Sequence, residues 1–336
     1  MSNTDLIGVK TQISKFWKRN SSAYARVRRS LHPSVQSLSY YPKTTSRNHN
    51  PYDPALHTKT GHEPPHDEAI FAMRVCGPLF AAALSRTSAF SGAYAPPPPP
   101  GYRVLARMEN VIILDKEAGL LTVPGRGKEL KDSLLVRVQR DWGEEWRNAH
   151  RLDRDTSGCI AFARAEGLKT VSQAFMRKSE RVKSADESDL MSDLFSGPDE
   201  DVEKSYVAKV HGILADDRGS ISEPIGKVGV VDESTGASFN RWALGSDTAS
   251  PRVALTEFEV LSRNLEEDST LVSCRPITGR GHQLRLHLSS LGHPIFGDSL
   301  HGFEDSCARL HLHAANLSIK VGGGDVISAH SEVPFS

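Results

Sequence analysis

Residues 150–158, which read His-Arg-Leu-Asp-Arg-Asp-Thr-Ser-Gly, contain the groups that a carboxylate nucleophile needs. Asp153 lies between Arg151 and Arg154, and three small, turn-forming residues close the segment. A carboxylate flanked by guanidinium groups stays ionised and oriented, which suits a nucleophile. The residues alone also allow a purely structural turn held by an aspartate–arginine pair, and their spacing does not exclude Asp155 as the reacting carboxylate.

A second segment, residues 275–287, supplies candidate partners for that carboxylate, among them Arg280 and Arg285. A helix is predicted over residues 281–291, with Leu284, Leu288 and Leu291 forming a narrow apolar stripe along one face. Arg285 flanks this stripe. We therefore expect it to be partly buried and to reach a carboxylate in a cleft.

The elements that must position these residues begin after residue 101. Hydrophobic patterning predicts three helices, one begun by Asp132 or Ser133 and the others at 166–178 and 281–291. Strands are predicted at 111–114, 120–123, 159–163, 205–214, 255–262, 270–275 and 310–319. The glycine-containing stretch 215–252 is predicted to be rich in loops. Because several strands are separated by loops alone, we expect an α+β domain with a mixed, mostly antiparallel sheet, flanking helices and a central cleft.

The predicted catalytic domain spans residues 102–336 and is flanked by segments of different composition. Residues 1–95 are rich in Ser and Pro, and their first 60 residues hold ten Lys and Arg against two acids. Such an arm is typical of an organellar transit peptide or of a disordered arm that contacts RNA phosphates; an atypical folded extension is the third alternative. Localisation is accordingly either cytoplasmic or organellar. Residues 96–101 are predicted to form a stiff polyproline linker.

An acidic insertion is predicted at about 179–203 within this domain. Residues 184–203 hold eight Asp and Glu and no Lys or Arg, which favours a disordered surface segment over a regulatory tail. The net charge of the chain is zero, but the uneven distribution of charge is compatible with a nucleic-acid ligand.

Composition argues against several other classes of protein. The longest apolar run is far shorter than the ~18 residues of a membrane-spanning helix. The four cysteines are widely scattered and form no CxxC pair, which favours reduced thiols. A metal hydrolase is the rival enzyme class, suggested by five histidines. The spacing of His282 and His287 argues against this class, because they are five residues apart and two metal ligands on one helical face are usually four residues apart. These histidines are His150, His282, His287, His311 and His313.

Five segments in order resemble the RluA family of RNA pseudouridine synthases. Residues 150–158 are similar to the catalytic motif of that family, and residues 278–287, followed by 291–298, are similar to a second segment of it. The other three similar segments are an opening strand and turn at 111–120, a tyrosine motif at 204–212 and a late strand at 309–315. The resemblance covers roughly residues 103–330. Residues 123–126 and 131–134 further resemble the branch that modifies both rRNA and tRNA stem-loops.

The resemblance implies a mechanism and a role for each site residue. Asp153 would be the nucleophile, attacking the target uridine at ribose C1′ or uracil C6. Tyr206 would stack on the base and could remove its C5 proton, while Arg285 would pair with Asp153. The predicted RNA contacts are Arg151, which would hold the flipped nucleotide out of the stack, and Arg280, His282 and Gln283. Flipping is required because these atoms are inaccessible in a stacked helix.

The same resemblance sets expectations for partners and cofactors. The partner would be an rRNA or tRNA stem-loop, with no metal, no cofactor, no membrane contact and a monomeric enzyme. The alternative is a catalytically inactive RNA-binding protein of the same fold. The sequence also departs from the family pattern: Gly281 stands where the family usually has Thr or Ser, and Glu117 where it usually has Pro.

Overall fold

The computed structural model of the chain describes residues 94–184, 201–231, 236, 238–245, 247–303 and 305–335. The basic extension before residue 94 and residues 185–200 of the predicted acidic insertion lie outside the described residues.

Within the described part of the chain, no helix is both long and apolar enough to span a membrane. Cys159 and Cys274 are buried free thiols, and Cys307 is a half-buried one.

Thirteen strands are present among the described residues. They are β1 (Tyr102–Arg107), β2 (Val111–Lys116), β3 (Arg147–Asn148), β4 (Ser157–Ala163), β5 (Val202–His211), β6 (Arg218–Ile221), β7 (Ile225–Val231), β8 (Ser238–Leu244), β9 (Ala249–Arg252), β10 (Thr256–Asn264), β11 (Ser269–Pro276), β12 (Leu312–Lys320) and β13 (Val326–His330). The main sheet has the order β1-β2-β4-β12-β5-β11-β10-β6, with β3 on β4 and β13 on β12. All pairings in it are antiparallel except that of β12 with β4. The predicted mixed, mostly antiparallel α+β fold is therefore confirmed.

In the part of the chain that the structure describes, three α-helices flank the sheet: α1 (Leu134–Trp142), α2 (Ala165–Ser184) and α3 (Gln283–Ser290). Ser133 caps α1, its hydroxyl accepting a hydrogen bond from the Val136 amide at 3.4 Å, as predicted. Helix α2 continues to Ser184, so its last turns occupy the beginning of the stretch that the sequence assigned to the acidic insertion. Helix α3 is shorter than predicted; Leu291 lies beyond its end and is 39% exposed.

The main core lies on the face of the sheet that α1 and α3 cover. Leu134 and Val138 of α1 and Leu284 and Leu288 of α3 pack there against the inward side chains of the strands. Tyr206, Ala208 and Val210 of β5 belong to this core, whereas Val207 packs with Leu271 and Ala315 on the opposite face. This alternation is the one predicted for the strand, and it places the Tyr206 ring on the cleft side.

Two predictions about the connecting segments were wrong. Residues 120–123 bend and do not form a strand. The predicted loop-rich stretch instead contains β6 and a separate three-stranded sheet of order β8-β7-β9.

The polyproline segment is fastened to the catalytic domain and is not a free spacer. The Arg137 guanidinium of α1 donates to the carbonyl oxygens of Pro97, Pro98 and Pro100 at 2.8, 3.4 and 3.1 Å. The same guanidinium forms an ion pair with Asp132 at 2.6 Å. A buried arginine with this many acceptors fixes the segment on the domain, because each unmade bond would leave a buried charge unsatisfied.

Candidate active site

The segment that carries Asp153 is a turn between β3 and β4, and two polar side chains fix its backbone by hydrogen bonds. The Thr122 hydroxyl donates to the Leu152 carbonyl at 2.7 Å and accepts from its amide at 3.2 Å. The Lys116 ammonium donates to the Arg154 carbonyl at 2.9 Å. Both contacts go to the backbone, so the turn is fixed without using the carboxylate of Asp153.

Lys116 is completely buried beneath this turn, an unusual position for an ammonium group. Burial lowers its pKa to about 7, and the nearby carboxylates of Asp155 and Asp153 act in the opposite direction. The ammonium also donates to the carbonyls of Glu117 and Leu120, both at 2.8 Å. These bonds tie the turn after β2 to the turn that carries Asp153.

Strand β12 links Tyr206 to the strand that follows the Asp153 turn. β4 and β5 lie on either side of β12, and Ala314 of β12 is in register with Gly158 on one side and Tyr206 on the other. Gly158 has a φ of 106°, and a Cβ there would lie 2.3 Å from the Ala314 carbonyl oxygen. Only glycine therefore permits the close pairing of β4 with β12, the strand that separates β4 from the tyrosine-bearing β5.

The Tyr206 ring lines the cleft and is almost fully buried. Burial raises the pKa of its phenol, and the charge of Asp153 raises it further. The group is therefore a neutral phenol at neutral pH, and it forms part of the cleft lining.

Arg285 lies on α3 beneath the cleft and is fully buried, more deeply than predicted. Its Nη1 is 3.9 Å from an oxygen of Asp153, so the predicted pair has the distance of a loose ion pair. Its closer partner is Asp298, which it contacts through two parallel bonds, Nε–Oδ2 at 2.8 Å and Nη2–Oδ1 at 2.5 Å. The guanidinium is thus fixed by Asp298 and presents its remaining nitrogen to Asp153.

Asp298 is equally buried, and its Oδ1 also accepts the backbone amides of Leu300 and His301, both at 3.0 Å. Burial alone would raise the pKa of this carboxyl, but the hydrogen bonds and charge of Arg285 outweigh burial and hold the pKa at about 2. Asp298 is accordingly ionised at neutral pH. Its charge keeps Arg285 protonated in the interior.

Asp153 and Asp155 differ in how far their carboxylates are already engaged. Asp155 forms a two-point ion pair with its neighbour Arg154, at 2.8 and 2.9 Å. Among the described residues, the ion-pair contact of Asp153 is the looser one of 3.9 Å with Arg285, while the two carboxylate side chains are about equally exposed, at 32% and 31%. The geometry therefore favours Asp153 as the carboxylate that a substrate can reach.

The cleft has a volume of about 670 Å³ and is open to solvent. Its lining brings together all the predicted site residues: Arg151, Asp153, Tyr206, Arg280, His282, Gln283 and Arg285. Arg151 is exposed beside Asp153, where it can contact a substrate. The lining also includes Trp242, which lies in the stretch predicted as loop and was missed as a site residue.

Gln283 is only 4% exposed, and its amide is fully engaged within the protein. Its Oε1 accepts from the Thr278 hydroxyl at 2.5 Å and the Arg280 amide at 3.0 Å, and its Nε2 donates to Leu255 and Thr256, each at 2.9 Å. The geometry favours a role in positioning the loop before α3 over the direct RNA contact that the sequence predicts.

His282 precedes α3 with a left-handed φ of 56°. Its Nδ1 is 2.8 Å from Nε2 of His301. Burial lowers the pKa of both histidines, to about 3 for His301. Of the other histidines that suggested a metal site, His150, His287 and His313 each have hydrogen-bond partners within the protein.

Comparison of the sequence with known proteins identifies the family of the chain. A family model described as RNA pseudouridylate synthase matches residues 110–290. The chain belongs to the RluA family of RNA pseudouridine synthases. The dual-specificity RNA pseudouridine synthase RluA of Yersinia pestis is 35% identical over 219 residues, covering 64% of this chain and 91% of that protein. RluA of Escherichia coli K12 is 32% identical over 229 residues, covering 67% and 90%.

The fold agrees with this assignment. The solved structure of human RNA pseudouridylate synthase domain containing 1 superposes with a TM-score of 0.53 at 25% identity, covering 72% of this chain and 87% of that one. The pseudouridine synthase is thus an isomerase acting on RNA, and the alternative of an inactive RNA-binding protein is not favoured. The predicted family, fold and enzyme class are confirmed.

The buried histidines of the enzyme predict a loss of stability in mild acid. Burial lowers the pKa of His301 to about 3 and that of His313 to about 4, below the ~6.5 of an unfolded histidine. Between these values the unfolded chain binds more protons than the folded one, so stability falls as pH decreases. Each histidine should cost about 1.4 kcal/mol per pH unit below ~6.5.

This effect can be measured by urea unfolding of the wild type and His301→Gln between pH 7.5 and 4.5. As pH decreases, the free energy of unfolding should fall less steeply in His301→Gln than in the wild type, because glutamine does not titrate. His330→Gln, at an exposed position, is the control. Parallel declines in all three proteins would contradict the assignment.

Proposed function

We propose that the enzyme isomerises a specific uridine in an rRNA or tRNA stem-loop, with Asp153 as nucleophile. The observation that carries this proposal is the arrangement around that carboxylate. Asp153 is partly exposed in the cleft, and its Oδ2 lies 3.9 Å from Nη1 of the buried Arg285. Tyr206 lines the same cleft from β5, which pairs with β12. Similarity to proteins named dual-specificity RNA pseudouridine synthase supports both RNA classes as substrates.

The chemistry requires the target nucleotide to leave the helical stack. Attack at ribose C1′ breaks the glycosidic bond directly, whereas attack at uracil C6 forms an adduct in which that bond then breaks. The uracil turns, its C5 bonds to C1′ and the bond to Asp153 breaks, while C5 loses its proton and N1 takes up a proton. Neither carbon is accessible inside a stacked stem, and a loop nucleotide is the least costly to extrude. A cleft of about 670 Å³ has room for one extruded nucleotide.

Each lining residue has a defined task in this proposal. Tyr206 stacks on the extruded base, an interaction worth ~1–3 kcal/mol. Arg285, fixed by Asp298, orients Asp153. Arg151, exposed next to Asp153, occupies the gap that the extruded base leaves in the stack. The net reaction is an isomerisation with no oxidation, reduction or hydrolysis, so nucleophilic attack, positioning and proton transfer account for it.

A pseudouridine map of cellular RNA tests this function. Total rRNA and tRNA from cells lacking the gene are compared with RNA from the same cells carrying the wild-type gene. A uridine that is modified only when the gene is present would identify the substrate. If no uridine changed in rRNA or tRNA, the proposed substrate classes would be wrong.

A further inference from the structure

The small sheet of β7, β8 and β9 forms a wall of the cleft that the proposed chemistry does not use. Trp242 of β8 lines the cleft and packs, with Leu244, against Ile225, Ala254 and Leu286. Leu286 belongs to α3, the helix that carries Arg285. The Arg241 guanidinium, next to Trp242, also bonds to the carbonyl of Leu300 on the loop that holds Asp298. The wall is therefore anchored to the elements that position the nucleophile.

Trp242 lies against the loop before α3 because residue 281 is glycine. A Cβ on Gly281 would be 2.4 Å from both Cε2 and Nε1 of the indole, a distance that side chains do not adopt. Among the residues that the structure describes, the indole N–H has no hydrogen-bond partner, although it lies at the cleft.

Lys227 pairs across the strands with Trp242, and its ammonium lies 4.9 Å from the centroid of the indole ring. The side chain is exposed and makes no ion pair with a described carboxylate. A cation held over an aromatic ring in this way is fixed in place while its charge stays available to a second partner.

Arg252 and Arg280 are a second pair of cations at this wall. Arg280 donates through Nε to the carbonyl of Val253, the residue after Arg252. Burial lowers the pKa of the Arg280 guanidinium, and the neighbouring charge of Arg252 lowers it further. Within the described ranges neither guanidinium has a carboxylate partner. Two neighbouring cations without a counter-charge favour a bound anion such as a phosphate.

We propose that Lys227, Trp242 and Arg252, together with Arg280, form a second RNA-contacting surface that binds the backbone of the strand leading out of the cleft. The cations neutralise successive phosphates, and the indole supports a ribose or base between them. This inference rests on the proposed function, because it assumes that the extruded nucleotide occupies the cleft. It assigns to the small sheet the task of fixing the substrate strand next to Asp153.

Binding measurements test the surface directly. The probe is the unmodified stem-loop transcript containing the uridine found by the pseudouridine map, and dissociation constants are measured across a salt series. In Lys227→Ala and Arg252→Ala, the slope of log affinity against log salt should each fall by about 0.7–0.9, the value for one lost phosphate contact. Lys320→Ala is the matched control, since Lys320 is at the opposite end of β12 from the cleft residue Leu312.

The tryptophan is tested by a pair of substitutions. Trp242→Ala should weaken affinity at least ~5-fold, the lower end of what loss of an aromatic contact costs. Gly281→Ser should weaken it comparably by displacing the indole, and Trp242→Ala with Gly281→Ser should be no weaker than Trp242→Ala alone. Such non-additivity is expected only if both changes act through the ring. Additive losses would overturn the role of Gly281.

The outcomes separate this inference from the proposed function. If the wild type modifies the transcript and all the wall variants bind it with unchanged affinity and salt slope, the second surface is wrong and the proposed function stands. If the wild type modifies no uridine in rRNA or tRNA, the proposed function itself fails. Circular dichroism and thermal unfolding of each variant establish that it is folded when its affinity is measured.

Discussion

Replacing Asp153 with asparagine should abolish pseudouridine formation and leave RNA binding unchanged. Asparagine has the same shape as aspartate but cannot supply the anionic oxygen that attacks the uridine. The backbone of the turn is held by Thr122 and Lys116, so losing the carboxylate should not move it. We expect the single-turnover rate to fall on the order of 10⁴-fold or more, as when other covalent nucleophiles are removed.

Asp155→Asn is the matched control for this substitution. Asp155 lines the same cleft, but its carboxylate is engaged by Arg154 at 2.8 and 2.9 Å. We expect this variant to retain most of the single-turnover rate. The opposite pattern, with an active Asp153→Asn and an inactive Asp155→Asn, would make Asp155 the nucleophile. Loss of RNA binding in Asp153→Asn would show that the carboxylate is not purely catalytic.

The candidate site could be predicted from sequence largely because its residues lie in short motifs. The turn with Asp153 and the helix with Arg285 each carry their functional residue beside a recognisable apolar pattern, and the alternation along β5 places Tyr206 on the cleft side. All seven predicted site residues line one cleft. The motifs do not predict the register of β12, which sets how the Asp153 turn lies relative to Tyr206.

Asp298 and Lys116 could not be assigned from sequence, because their environment is set by tertiary packing. Asp298 follows a glycine in a turn, a context that usually indicates an exposed carboxylate. It is buried only because the turn folds beneath α3 and meets Arg285 there. Lys116 ends a strand, and its charge gives no sign that it will be enclosed by three carbonyl oxygens.

The small sheet was missed for a different reason. Five glycines in residues 215–252 indicate turns, and two of them lie within β7, which weakens its apolar pattern. Only Ile225 and Gly226 of β7 are buried, because the rest of the strand extends away from the core. Patterning detects a strand through one buried face, and this sheet has such a face at one end only.

Replacing Asp298 with asparagine should be strongly destabilising as well as damaging to activity. The substitution leaves the buried Arg285 without its counter-charge, and breaking a buried pair in this way costs about 3–5 kcal/mol. The amide group would also place N–H donors against the guanidinium or withdraw one acceptor from the Leu300 and His301 amides. Arg285 would then lose the contacts that aim it at Asp153, so the single-turnover rate should fall even in the folded fraction.

Urea unfolding measures the first effect, with Asp217→Asn as control. Asp217 pairs with Arg263 at the surface, where its side chain is 80% exposed, and such pairs contribute only ~0–1 kcal/mol. A free energy of unfolding in Asp298→Asn equal to that of the wild type would contradict the buried pair.

A double variant separates the charge effect from simple loss of a contact. Arg285→Met removes the buried cation, and Asp298→Asn in the same chain keeps an oxygen for the Leu300 and His301 amides. Because no uncompensated charge then remains in the interior, we expect this double variant to be more stable than Asp298→Asn alone. It should nevertheless be inactive, since no guanidinium faces Asp153. Recovered stability without recovered turnover would show that the uncompensated charge of Arg285 destabilises Asp298→Asn, and that the guanidinium is needed to orient the nucleophile.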